Sequence, residues 1–204
     1  MIRTPALLFL LAAVATVPHG SSDVGITPPR SQSPLDLVEE GSPPGNGIRL
    51  EISLSARELY VFEDGEIVDE HPVAVGQPGH ETPTGAWVIY RVDWNPDWTP
   101  PDSPWAEDRE PKPPGHPDNP MGRVRMVFDP PYTVHGTDIL ESLGHAASRG
   151  SVRMGNEDII RLAPRVMEAG GEPRPEDWVQ ATLDKPTEMV QVYLPNPVRI
   201  DIIH

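Results

Sequence analysis

Proline sets the first limit on this chain: 27 of its 204 residues have a fixed φ and no backbone N–H. Inside a helix a proline removes a ladder hydrogen bond and strikes the preceding turn, so the chain supports few long helices and many extended or turn segments. The apolar pattern agrees. In GIRLEISLS, Ile48, Leu50, Ile52 and Leu54 alternate with polar neighbours, the period of a half-buried strand. Tyr60-Val61-Phe62, an Asp64-Gly65 turn and a second strand to Val75 predict a hairpin. AWVIYRV, RVRMVFD and YTVHG read as further strands, as do WVQATL, MVQVYL and VRIDII near the C-terminus. One helix is predicted, capped by Asn156, with Glu157 and Asp158 in its first turn, where the helix dipole favours acids. Ile159, Ile160, Leu162, Ala163, Val166 and Met167 give it an apolar face, Gly170-Gly171 ends it, and Pro164 is expected to kink or split it. The expected fold is mostly β and mostly antiparallel, with one main α-helix.

Three regions follow from composition. Residues 1–20 carry one arginine, an apolar run from Ala6 to Val17 and then small residues, the layout of an export signal cleaved after Ala15 or Gly20. Residues 21–46 are rich in Ser, Pro, Gly and acid, which predicts a disordered linker. Residues 47–204 form the domain, interrupted at 93–122 by a proline-rich excursion holding Trp94, Trp98 and Trp105. Disordered segments are poor in aromatics, so these tryptophans predict an ordered or functional loop. The expected location is the periplasm or cell envelope, with no transmembrane segment in the mature chain.

Charge and cysteine content exclude several functions. A formal net charge of −15 disfavours nucleic acid and anionic membrane surfaces as partners. Zero cysteines exclude disulfides, thiolate–zinc sites and a thiol nucleophile. His80, His116 and His145 have no metal-ligand spacing, and no cofactor or metal is expected.

His135 and Ser151 lie sixteen residues apart, each beside a glycine. A histidine-activated hydroxyl attacks amide carbonyls, and Gly150 would let backbone N–H groups approach the developing oxyanion. Arg123, Arg125, Arg149 and Arg153 outnumber Asp129, Asp138 and Glu141 between Met121 and Arg153. That local excess suits a ligand bearing several carboxylates, although alternate arginines such as Arg123 and Arg125 can equally face solvent.

The ordered motifs TPTG, NPMG, HGT, SLG, SRGSVRM and NEDIIRL resemble those of the YkuD-type L,D-transpeptidase family. Members usually read HGT, a glycine, SHGC followed by Ile/Val-Arg-Met, and an Asn-x-Asp helix start. The resemblance implies an exported β-sandwich or barrel-like domain acting on peptidoglycan stem peptides. There a cysteine attacks the carbonyl before a terminal D-alanine, and an amine or water resolves the acyl-enzyme. By position it makes His135 the base and puts Ser151 in the nucleophile's place. Arg149 and Gly150 then belong to the nucleophile loop, and Arg153, Gly136 and Thr137 line the peptide site. Two residues depart from the pattern: Ser151 stands for the cysteine and Arg149 for the loop histidine. The sequence therefore supports acyl transfer or hydrolysis through Ser151, with a catalytically silent peptidoglycan-binding protein as the alternative. A hydrogen bond from His135 to Ser151 would favour the first, and Arg149 wedged between them the second.

Overall fold

The first alternating stretch is a strand in the computed structural model, which describes residues 47–204. The expected signal at 1–20 and linker at 21–46 lie outside the described residues. Strand β1 (Ile48–Ser53) buries Ile48, Leu50 and Ile52 and pairs antiparallel with β2 (Glu58–Glu63). Asp64 and Gly65, both at positive φ, turn β2 into the long β3 (Glu66–Gly76), the backbone twist that a tight hairpin requires. Strands β4 (Gly85–Trp94), β5 (Val124–Asp129) and β6 (Tyr132–Thr137) pair antiparallel in succession. Short β7 (Ala146–Ser148) and β8 (Val152–Gly155) lead into helix α1 (Asn156–Ala169), helix α2 (Glu176–Leu183) and β9 (Val190–Ile203).

The strands form one sheet in the order β2-β1-β9-β4-β5-β6-β8-β3-β7, and a further β2–β3 pairing closes it on itself. Most pairs are antiparallel, while β1–β9, β3–β7 and β6–β8 are parallel. The result is the mostly β, barrel-like architecture expected, with α1 as its main helix. Leu50, Ile52, Val61, Ile89, Val92, Met126, Val134, Val152, Met154 and Ile200 fill the interior, closed by Ile159, Leu162, Val166 and Met167 of α1. Among the described residues no helix is long and apolar enough to cross a membrane.

Several local expectations change. WVQATL is helical: Glu176 and Asp177 occupy the first turn of α2, and its buried side chains, Val179 and Thr182, stand i, i+3 apart. Pro164 does not split α1, because buried residues on both sides of it pin the two halves to the same core. VQVYL, from Val190, and VRIDII belong to one strand, β9. Its pairing with β4 shifts register between Ile89 and Arg91, and Pro195 and Pro197 sit in the unpaired stretch, where no ladder N–H is needed. Trp94 is not a loop residue: it ends β4, is 0% exposed, and donates its indole N–H to Met167 Sδ at 3.3 Å. Asn156 is the first residue of α1 rather than its cap, which is Gly155. Its side chain bridges two loops instead, accepting from the Arg123 N–H at 2.9 Å and donating to Asp138 at 2.7 Å.

Candidate active site

Strand register sets the site. Parallel pairing of β6 with β8 aligns Val134 with Val152 and His135 with Arg153. The two valines face the core, so the alternation of side chains turns Thr133, His135 and Arg153 to the opposite face. Ser151, the residue before β8, sits beside Thr133 on that face. The β5–β6 register aligns Arg125 with His135, β4–β5 aligns Asp93 with Arg125, and β4–β9 aligns Gln191 with Asp93. A row Gln191–Asp93–Arg125–His135–Arg153 therefore crosses five adjacent strands.

Asp93 is 0% exposed, an expensive place for a carboxylate unless it is paired and hydrogen-bonded. It accepts from Arg125 Nε at 2.8 Å, Arg91 Nη2 at 3.2 Å and Gln191 Nε2 at 3.2 Å. Arg125 also donates to the Asp97 carbonyl at 2.9 Å and carboxylate at 3.2 Å, which fixes the start of the proline-rich excursion. Arg123 donates to Asn95 Oδ1 at 2.9 Å and to the Leu183 carbonyl. Neither arginine simply faces solvent, because each ties the sheet to a loop. Arg153 differs: among the described residues no carboxylate lies within 4.0 Å of its guanidinium, and burial lowers its pKa.

His135 is 3% exposed, and its Nδ1 lies 2.9 Å from the Gly136 carbonyl oxygen. A carbonyl only accepts, so Nδ1 carries the proton and Nε2 is the basic nitrogen. Burial is the main cause that lowers its pKa from 6.5 to about 4; the Gly136 carbonyl opposes the shift, and Arg153 and Arg125 add to it. The ring is therefore neutral at physiological pH. Between the two values the unfolded chain binds a proton that the folded chain does not, so stability falls as pH drops from about 6.5 through about 4. The loss expected from this residue is about 3 kcal/mol at about 1.4 kcal/mol per pH unit. Urea denaturation at several pH values should show a flatter profile for His135→Gln; parallel profiles would contradict the assignment.

Ser151 does not hydrogen-bond to His135. Its Oγ accepts the Thr133 N–H at 3.2 Å and lies 3.5 Å from both Thr133 Oγ1 and the Pro131 carbonyl. The loop before it is fixed by Ser148, whose hydroxyl donates to the Ser151 carbonyl and accepts the Gly150 N–H at 3.2 Å. That amide, a candidate oxyanion donor, is thus already engaged. Gly150 has φ +106°, and a Cβ there would lie 2.5 Å from the Tyr132 ring. Gly150→Ala is expected to cost about 1–3 kcal/mol in chemical denaturation, from the strained backbone and the overlap.

Arg149 is not wedged between His135 and Ser151. It is exposed, donates to His80 Nε2 at 2.9 Å and stacks over Trp105 at 4.8 Å, linking the nucleophile loop to the excursion. Gly136 and Thr137 are buried. Gly136 is crowded by Asn156 Oδ1, which would lie 2.1 Å from an added Cβ, and Thr137 Oγ1 accepts the Ile139 N–H at 3.1 Å. The residues missed from sequence are Asp93, Thr133 and Gln191. The alternation of Arg91, Val92, Asp93 and Trp94 carried the signal for Asp93, which the proline-rich stretch that follows obscured.

A buried neutral imidazole and a serine hydroxyl thus share one face of neighbouring strands without touching. Residues 47–192 match the YkuD family, the L,D-transpeptidase catalytic domain, and the chain belongs to that family. Among similar proteins, Probable L,D-transpeptidase ErfK/SrfK of Escherichia coli (strain K12) is 32% identical over 149 residues, 68% of this chain and 47% of that protein. Probable L,D-transpeptidase YbiS of the same strain is 35% identical over 140 residues, 64% of this chain and 43% of that protein. The chain thus spans about half the length of these relatives. The crystal structure of L,D-transpeptidase 3 from Mycobacterium tuberculosis shares the fold, with a TM-score of 0.50 at 13% identity, covering 78% of this chain and 61% of that one.

Proposed function

We propose that this domain binds peptidoglycan stem peptides in an L,D-transpeptidase-type site without turning them over efficiently, and that the leader at 1–20 directs it to the cell envelope. Family membership supports the ligand class. One observation carries the view of the chemistry: the Ser151 hydroxyl takes the Thr133 N–H, while His135 turns its proton-bearing nitrogen to Gly136 and makes no hydrogen bond to Ser151. A hydroxyl has to lose its proton as it attacks, and a base of pKa about 4 binds that proton about 300-fold more weakly than an ordinary histidine. Arg149 and the Gly150 N–H, two loop groups that could steady developing negative charge, are held elsewhere.

A second reading, acyl transfer or hydrolysis through an acyl-Ser151, has one observation in its favour. His135 keeps Nε2 unprotonated on the face that carries Ser151, and hydrogen bonds absent from an apo site form in some complexes. Calorimetric titration with a disaccharide-tetrapeptide tests the binding half. Saturable heat is expected for the natural protein and for Ser151→Ala alike; no heat with either would contradict the proposal.

A further inference from the structure

The two arginines that flank His135 in register are not equivalent. Arg125, across the antiparallel pair, has a side chain only 14% exposed and is held by Asp93 and Asp97. Arg153, across the parallel pair, has no carboxylate partner among the described residues. Along the row the charges run Asp93 negative, Arg125 positive, His135 neutral, Arg153 positive, so one end lacks its anion. The saturated end is the buried one. Asp93 there also takes Arg91 and Gln191, which leaves it no tendency to exchange partners with a ligand.

We propose that Asp93 decides which arginine receives a ligand carboxylate: it occupies Arg125 and so makes Arg153 the receptor beside His135. The inference rests on the reading that this face holds a carboxylate-bearing peptide, and it names the recognition element within that face. Asp93 is a positioning residue, acting through Arg125 without touching the ligand. Arginine is well suited to the receptor role, because its planar fork takes a carboxylate by two parallel N–H donors.

Occupation of Arg153 also acts on His135. The charged groups facing it from the neighbouring strands are Arg125 on β5 and Arg153 on β8, both of which disfavour its protonation. A carboxylate on Arg153 cancels one of them, so occupied protein takes up a proton on His135 at higher pH than free protein. Binding and protonation are then linked, and the ligand binds more tightly as pH falls through the histidine's titration.

The test is heteronuclear NMR on the full chain, following the arginine Nε–H resonances and the His135 ring, with a stem tetrapeptide and with acetate as probes. In the natural protein either probe should shift Arg153 Nε–H and leave Arg125 Nε–H in place, and should move the His135 midpoint upward. Arg153→Gln should weaken tetrapeptide binding at least about tenfold, the loss of a charge-assisted pair. Arg125→Gln should leave affinity within about threefold. In Asp93→Asn, the Arg125 resonance should begin to respond to the probe, a change that a merely structural role for Asp93 would not produce. If Asp93→Asn fails to fold, the Arg125→Gln and Arg153→Gln pair still decides which arginine receives the carboxylate, and a response of Arg125 Nε–H in the natural protein would show that Asp93 does not keep it occupied. Arg125 responding in the natural protein, or Arg153→Gln leaving affinity unchanged, would overturn the assignment. If the tetrapeptide does not bind while acetate still shifts Arg153, the peptide reading fails and the arginine assignment stands. If neither probe shifts Arg153, the assignment fails.

Discussion

Replacing Ser151 with cysteine is expected to raise release of D-alanine from a disaccharide-tetrapeptide at least about 100-fold over the natural protein, the scale of effect that general-base assistance spans. Proton affinity separates the two nucleophiles. A thiol has a reference pKa near 8.5, so roughly a few per cent is thiolate at neutral pH before any activation. At position 151 that thiolate would receive the Thr133 N–H, which favours the anion. His135 then has little work to do as a base, and its low proton affinity ceases to be limiting. The serine has no such reserve, because its hydroxyl must pass its proton to His135 during attack. D-Alanine release by Ser151→Cys at the natural protein's rate would show that the site fails for some reason other than its nucleophile.

The second large effect concerns the fold. Trp94→Ala is expected to cost about 3–5 kcal/mol, seen as a lower midpoint in urea, because it empties a large site in a close-packed core. Trp94 is fully buried, donates to Met167 of α1 and meets Trp178 of α2 edge to face at a centroid distance of 5.8 Å. It therefore joins both helices to β4. Its neighbour Asn95 extends the same tie, donating to the carbonyls of Thr182 at 2.9 Å and Lys185 at 3.1 Å. Trp98→Ala serves as the comparison: Trp98 is only partly buried, in an isolated bridge to Lys112, and the same truncation should cost much less. Equal losses at the two positions would mean that the excursion is as much part of the core as β4.

What the sequence made legible, and what it hid, differ for physical reasons. Alternation marks a strand that is buried on one face, so β1, β2, β4, β5 and β6 were readable from local pattern. The helical period of α1 was readable in the same way. WVQATL was not, because a short apolar run with a Trp and a Val fits a strand as well as a helix, and only packing decided between them. Trp94 was hidden by the proline-rich stretch that begins two residues later.

At the site, motif order brought out His135, Ser151, Arg149 and Arg153 without showing their partners. Hydrogen bonds between residues far apart in sequence depend on register. The Ser151–Thr133 contact exists because β6 and β8 are parallel and in step, and Asp93 meets Arg125 because β4 and β5 align those two residues. Neither relation has a local signature. The same register explains why the arginines of RVRMV are not a solvated stripe: Arg123 and Arg125 point into the loops that cross that face.

The claim that the domain holds stem peptides without acylating is tested most directly by intact-protein mass spectrometry. The natural protein would be incubated with a saturating disaccharide-tetrapeptide and then denatured and weighed, beside Ser151→Ala and Ser151→Cys. The account predicts an unchanged mass for the natural protein and for Ser151→Ala, and an acyl adduct on Ser151→Cys. An adduct on the natural protein that disappears in Ser151→Ala would contradict it and establish a serine-based acyltransferase.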